Sequence, residues 1–229
     1  MRAPAGRWTD PRRAFLVFGA LVLVLVLCAA TSVAPLPKAA RRDPVAAVHL
    51  VQRLRAGERA DRLIQYDFAR ANGGEAIQSV VTEGRQGGLS LLFTGDTLTL
   101  RSADRVLVCQ RVASTSSCFR QPSEVSLPIS VVIAAAVALG AYDVAAGRVV
   151  NIAGVRADCF DLRANKGHVL AGLGNQTEVC LSEDGLVLST DVRTGATRES
   201  RTAQVVQRRI SDAELNELLA RFKAPNPSK

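Results

Sequence analysis

An α+β fold built around a large antiparallel sheet follows from three features of this 229-residue sequence. Two blocks, residues 63–120 and 148–209, alternate apolar and polar side chains with period two, as half-buried strands do. Three other segments carry helix signals: a capped stretch from Asp43, a uniformly apolar stretch within 126–146, and a capping box at Ser211. The predicted order is helix, five strands, helix, five strands and a short helix, in one domain over residues 43–229 with no internal repeat. At 48% hydrophobic and 22% charged residues, the chain can bury a core and is not of disordered composition.

The elements are preceded by an export signal. Residues 1–13 form a basic tail with Arg2, Arg7, Arg12 and Arg13, which predicts that the N-terminus stays in the cytoplasm. Residues 14–34 carry no charge, and about 21 residues of helix reach roughly 32 Å, enough to cross a bilayer's hydrocarbon core. A retained signal anchor fits that length. A cleaved signal peptide fits the small residues Ala29, Ala30, Thr31, Ser32 and Ala34. A lipid anchor on Cys28 meets Leu27 where a small residue is required, and Arg12-Arg13 is similar to a twin-arginine signal. Each reading sends the remainder across the membrane, past a basic linker at 35–42. The expected location is the cell membrane, single-pass with an extracytoplasmic domain, or secretion if the signal is cleaved.

Asp43 as cap and Pro44 at the first helical position predict a helix with Val45, Val48, Val51 and Leu54 on its apolar face and Gly57 at its end. A meander follows: Ile64, Tyr66 and Phe68 alternate, then come the runs 76–81, 89–93, 97–100 and 106–109, separated by Gly73-Gly74, Gly87-Gly88 and Gly95-Asp96. In 126–146, Pro128 suits a helix start and Gly140 its end. The stretch 129–139 is apolar nearly all round, which predicts a deeply buried helix; its uncharged core is short for a second membrane span. Strands at 148–153, 155–163, 177–182, 186–192 and 198–209 complete the sheet, with Glu183-Asp184-Gly185 as a tight turn. Ser211 to Glu214 then opens a helix carrying Leu215, Leu218, Leu219 and Phe222.

Four cysteines lie beyond Cys28: Cys109, Cys118, Cys159 and Cys180. An even number fits an oxidising compartment, with three connectivities open. Local pairing is simplest, Cys109 with Cys118 across a hairpin whose turn is 113–117, and Cys159 with Cys180 across a Gly/Asn-rich loop. Zinc is the rival reading, but no Cys-x-x-Cys pair is present and His168 is isolated.

The stretch Gly154-Val155-Arg156-Ala157-Asp158-Cys159-Phe160, with Glu178-Val179-Cys180-Leu181, Asp184-Gly185-Leu186-Val187-Leu188 and Ile210-Ser211-Asp212, resembles the tail of actinobacterial envelope proteins. These are similar to the lipoprotein carrier LolA and to the glycolipid-binding LppX/LprG group. The resemblance implies a curved half-barrel sheet with helices covering its concave face and a cavity for acyl chains. The run Ala134-Ala135-Ala136 in the covering helix leaves room for such a cavity. Candidate lining residues are Tyr66, Phe68, Leu98, Leu100, Leu107, Val132, Ile133, Val137, Leu186 and Leu188.

Catalysis finds little support. His49 and His168 have no nucleophile at an elbow-like turn nearby, no carboxylate pair stands out, and Gly172-Leu173-Gly174 lacks the strand-to-helix context of a phosphate loop. No cofactor or metal motif is present, and export argues against nucleic acid despite a net charge of +8. The sequence therefore predicts a non-catalytic envelope protein that binds or carries a lipid or lipoprotein acyl chain. The alternative is a membrane-anchored structural or sensory ectodomain whose ligand is another envelope protein.

Overall fold

Asp43 opens the first described helix, α1 (Pro44–Gly57), because its carboxylate accepts the N–H groups of Val45 and Ala46, both at 3.0 Å. The computed structural model describes residues 43–102, 105–113, 115–121 and 127–224. The readings of 1–13, 14–34 and 35–42 fall outside these residues. The buried stripe of α1 is Ala46, Leu50 and Leu54, four residues apart; of the predicted face Leu54 is buried and Val51 half-buried, but Val45 and Val48 are 63% and 53% exposed. Three-residue spacing drifts around a helix, whereas the docked face follows the four-residue ridge.

Six strands follow: β1 (Arg62–Asn72), β2 (Glu75–Gln86), β3 (Leu89–Thr94), β4 (Thr97–Arg101), β5 (Val106–Val112) and β6 (Thr115–Gln121). The sequence reading counts five strands here and sets 113–117 as the turn of the Cys109–Cys118 hairpin, whereas the returning strand β6 already starts at Thr115 and makes a sixth. Six of its seven residues are exposed, so no apolar alternation marks it. Next come α2 (Ile129–Ala138), β7 (Tyr142–Ile152), β8 (Val155–Ala164), β9 (Gln176–Ser182), β10 (Val187–Thr194), β11 (Thr197–Gln207) and α3 (Asp212–Arg221). The second strand block starts at Tyr142, six residues before the predicted 148. Gly140, at φ 69°, turns the chain out of the helix, and Tyr142 and Val144 then bury alternate positions.

All eleven strands form one open sheet in the order β6-β5-β4-β3-β2-β1-β11-β10-β9-β8-β7. Every pairing is an antiparallel hairpin between consecutive strands except one. β1 pairs with β11 from Leu63↔Gln207 to Asn72↔Thr197 and joins the two meanders. Tyr66 crosses that seam, its hydroxyl donating to the Val187 carbonyl of β10 at 2.7 Å. Burial pushes this hydroxyl far above its ordinary value, so it stays a neutral donor. Arg201 of β11 reaches Glu83 of β2 at 2.8 Å across the same seam.

The core lies in three clusters. α1 and α2 pack with Tyr142, Val144, Phe160, Leu162, Val179 and Leu181. α3 packs through Leu215, Leu219 and Phe222 onto Leu89, Leu91, Leu98, Leu100 and Cys109. A third cluster joins Ile64 and Tyr66 to Ala157, Cys159, Cys180, Leu186 and Leu188. Since Cys159 and Phe160 alternate along β8, that strand is buried on both faces. The end of this half-sheet also curls, bringing β7 against β11. Both disulfides link directly opposed residues, Cys109–Cys118 with S–S 2.09 Å and Cys159–Cys180 with 2.11 Å.

α1 docks by backbone contact. A Cβ at Gly57 would stand 2.0 Å from the Gly185 carbonyl oxygen, and Gly185 itself sits at φ 84° in the β9–β10 turn. Arg53 adds an ion pair to Asp158 of β8 at 2.5 Å. Gly57→Ala is therefore expected to force helix and turn apart and destabilise the fold by roughly 1–3 kcal/mol, read as a lower urea midpoint. An unchanged midpoint would show that the approach is dispensable.

At the other end of the domain, the predicted capping box is formed. The Ser211 hydroxyl accepts the Glu214 N–H, and the Glu214 carboxylate accepts the Ser211 N–H at 2.8 Å and its hydroxyl at 2.7 Å. These bonds hold the Glu214 carboxyl below its usual 4.5. A depressed folded value means the contribution is complete above the unfolded value and is lost as pH falls through the folded one. Urea midpoints followed down from about pH 6 to 3 should carry a slope that Glu214→Gln reduces. Identical slopes in both proteins would remove the box from the acid response.

Candidate functional site

Helix α2 has the composition of a buried helix but is covered on one side only by the described elements. Pro128 stands at its N-cap position, and the inward residues are Ser130, Ile133, Ala136 and Val137. Leu127, Ala135, Ala138 and Leu139 face solvent, with Leu139 84% exposed. This corrects the prediction of a deeply buried helix. Apolar residues on every side are needed only where partners surround a helix, and among the described elements α2 packs on α1 and β7. At ten residues it spans about 15 Å, and no described helix is long and apolar enough to cross a membrane.

Between α1 and α2 lies an open cleft of about 240 Å³, lined by Leu54, Arg55, Glu58, Ser130, Val131, Ala134, Ala135 and Ala138. Glu58, just past α1, organises its polar end. It accepts the Ser130 hydroxyl and faces Arg85 at 3.6 Å and Arg62 at 3.9 Å. Ser130 would otherwise be a buried, unbonded hydroxyl in the first turn of α2. Apart from Arg55 the rest of the cleft is aliphatic, with alanines where larger side chains would close it. Such a surface can desolvate part of an apolar chain.

A second apolar surface lies on the sheet. The cross-strand row Glu83–Leu92–Thr99–Val108–Phe119 runs over β2 to β6. It stands on the opposite side of these strands from the residues under α3, since Leu91 and Leu92 alternate. Leu92 is 40% and Phe119 45% exposed, and neither joins a core cluster.

Nine of the ten predicted lining residues are divided among the three clusters, and Phe68 lies outside them. Val132, Ile133 and Val137 pack with α1. Leu98, Leu100 and Leu107 lie under α3. Tyr66, Leu186 and Leu188 sit in the third cluster, and Phe68 is half-buried outside all three. Of the alanine run, Ala134 and Ala135 line the cleft while Ala136 is core. The cleft residues missed by sequence reasoning are Leu54, Arg55, Glu58, Ser130, Val131 and Ala138. The signal available for them was the apolar wheel of 129–139, which was read as burial. His49 and His168 are both exposed, the latter with Nδ1 3.1 Å from the Lys166 carbonyl. Cys159, Glu178 and Cys180 come within 4.8 Å of one another, but the two sulfurs are bonded to each other and so are not thiolate ligands.

No protein-family model matches the chain, and no curated protein matches it. Among solved structures, MucB superposes with a TM-score of 0.50 at 15% identity, over 76% of this chain and 62% of that one. Over that stretch the chain shares the fold of MucB. The chain spans about six-tenths of the length of the MucB chain it matches. Other similar structures are the Mycobacterium tuberculosis lipoprotein LppX, at 10% identity and a TM-score of 0.49 over 74% of this chain and 98% of that one, and a LolA-superfamily protein from Nitrosomonas europaea, at 9% and 0.34 over 74% and 96%.

The Glu58 cluster gives a direct test of how the cleft is held. Glu58→Ala leaves Ser130 without its acceptor and is expected to cost roughly 1–3 kcal/mol in urea unfolding. Glu58→Gln, which keeps an acceptor, should cost less. Equal losses would assign the effect to the arginines alone.

Proposed function

We propose that this chain is a non-catalytic extracytoplasmic binding protein that shelters an acyl chain of a lipid or lipoprotein in the α1–α2 cleft. The observation that carries the reading is the outward apolar side of α2 beside an alanine-lined cleft. Each methylene moved from water onto that surface contributes about 0.8 kcal/mol. The cleft is smaller than the roughly 300–1,000 Å³ of sites that enclose a whole small molecule, so it holds part of one chain, with the headgroup outside. Arg55 at its wall suits an anionic headgroup.

Two disulfides support an oxidising compartment beyond the membrane. Residues 14–34 serve as anchor or as cleaved signal, and 43–229 form the exported domain. The finer kinship is with the actinobacterial LppX/LprG-like group, whose half-barrel carries helices over its concave face. The alternative ligand is another envelope protein.

Native mass spectrometry of the full chain, purified in mild detergent, tests this reading. The expected result is a bound mass matching a phospholipid, lost on denaturation, with occupancy at least roughly tenfold lower in Ala135→Phe. Ala135 is exposed, so the larger side chain fills the cleft without entering the core. An apo mass for the wild-type chain, with all four cysteines of the domain oxidised, would sink the acyl-chain reading and leave the protein-partner alternative.

A further inference from the structure

The two edges of the open sheet are built differently. At one edge, β7 is bulged between Ala146 and Val149, its Val144 carbonyl accepts the Asp43 N–H at 3.2 Å, and the strand bends against β11. Each of these features blocks the addition of another strand. At the other edge, β6 pairs with β5 in unbroken register from Val106↔Gln121 to Val112↔Thr115. It contains no Pro and no Lys, and the Cys109–Cys118 bond ties it to its neighbour.

The register also states which backbone groups point outward. Cys109 and Cys118 have Cα atoms 4.0 Å apart, the narrow spacing of a non-hydrogen-bonded pair. The Arg111 N–H donates to the Asp96 carbonyl at 2.8 Å, so Cys109 and Arg111 direct their backbone groups toward β4. Ser117 and Phe119 therefore bond β5, while the N–H and C=O groups of Ser116, Cys118 and Arg120 point away from the sheet.

Charge selects the occupant. Residues 105–121 contain Arg105, Arg111 and Arg120 and no acidic residue. Arg111 is matched by Asp96 at 2.8 Å, whereas Arg120 is exposed on the edge strand itself. Lys223 adds a further positive charge near the other end of the strand, next in the chain to Phe222, whose carbonyl accepts the Ser116 hydroxyl. A second copy of this chain would bring the same positive charge to the same edge, on a molecule of net charge +8.

We propose that β6 accepts an extended, acidic segment of another polypeptide as a twelfth strand, held by the outward backbone groups of Ser116, Cys118 and Arg120. The site is separate from the α1–α2 cleft and does not depend on the lipid reading.

The test uses the full-length chain in detergent micelles and a fluorescent peptide of alternating Glu and Val, with a Lys-Val peptide of equal length as its counterpart. Anisotropy at low salt should report binding of the Glu-Val peptide only. Amide exchange should slow at Ser116, Cys118 and Arg120 and not along β7. Arg120→Pro removes an outward N–H without breaking a bond to β5 and should weaken binding at least roughly tenfold, with both disulfides intact. Arg120→Glu keeps the N–H and reverses the charge, so its expected loss of binding stands even if the proline variant fails to fold. Ala135→Phe should bind the peptide like wild type. Failure of the Glu-Val peptide to bind, equal binding of the Lys-Val peptide, or undiminished binding by Arg120→Glu would each overturn the proposal.

Discussion

The pairing of β1 with β11 is the constraint on which the rest of this fold depends. Every other strand pairs with a neighbour in the chain and can form as a local hairpin. The β1–β11 ladder alone must close a loop of more than a hundred residues, and loop closure is costly before any contact offsets it. Its ten-residue register turns two meanders into one sheet. Tyr66 and the Arg201–Glu83 pair then tie strands on both sides of the seam, through a buried hydroxyl bond and a partly buried ion pair. Without the seam, the third core cluster would lose its contributions from Ile64 and Tyr66.

The helices follow from that sheet. α1 lies close enough to the β9–β10 turn that glycine is required on both sides of the contact, at Gly57 and Gly185. Arg53 and Asp158 fix its angle from the side. α2 then packs on α1 and β7 with one side, because no further described layer exists to cover the other. The apolar cleft is thus a consequence of layer count. A helix suited to an interior has been placed at the margin, and its outward residues stay exposed among the described elements.

The disulfides act on register more than on chain entropy. They close loops separated by only 9 and 21 residues, so each restrains the unfolded chain modestly. Both join residues directly opposite on adjacent strands, where a slip of one residue would reverse every side chain. One disulfide steadies each meander: the first fixes the outer edge strand, and the second lies within the doubly buried part of the sheet.

The sequence by itself determined the α+β class, the two meanders, the caps at Asp43 and Ser211, and the turns at glycine pairs. These are written in short-range patterns, where residues two to four apart decide the outcome. It also made local cysteine pairing the simplest choice, because each pair brackets a turn or loop. It could not give the bounds of β6, whose exposed residues leave no alternation, nor the stripe of α1, where Val48 and Leu50 look equally apolar until the docked side is known. Only the tertiary structure decided that β1 meets β11, that nine of the ten candidate lining residues divide among three clusters, and that Ala134 and Ala135 face an open cleft while Ala136 does not. The reason is physical. Periodicity tells which residues prefer burial, but which surfaces remain uncovered depends on how many layers pack and on which sides, a property of long-range contacts.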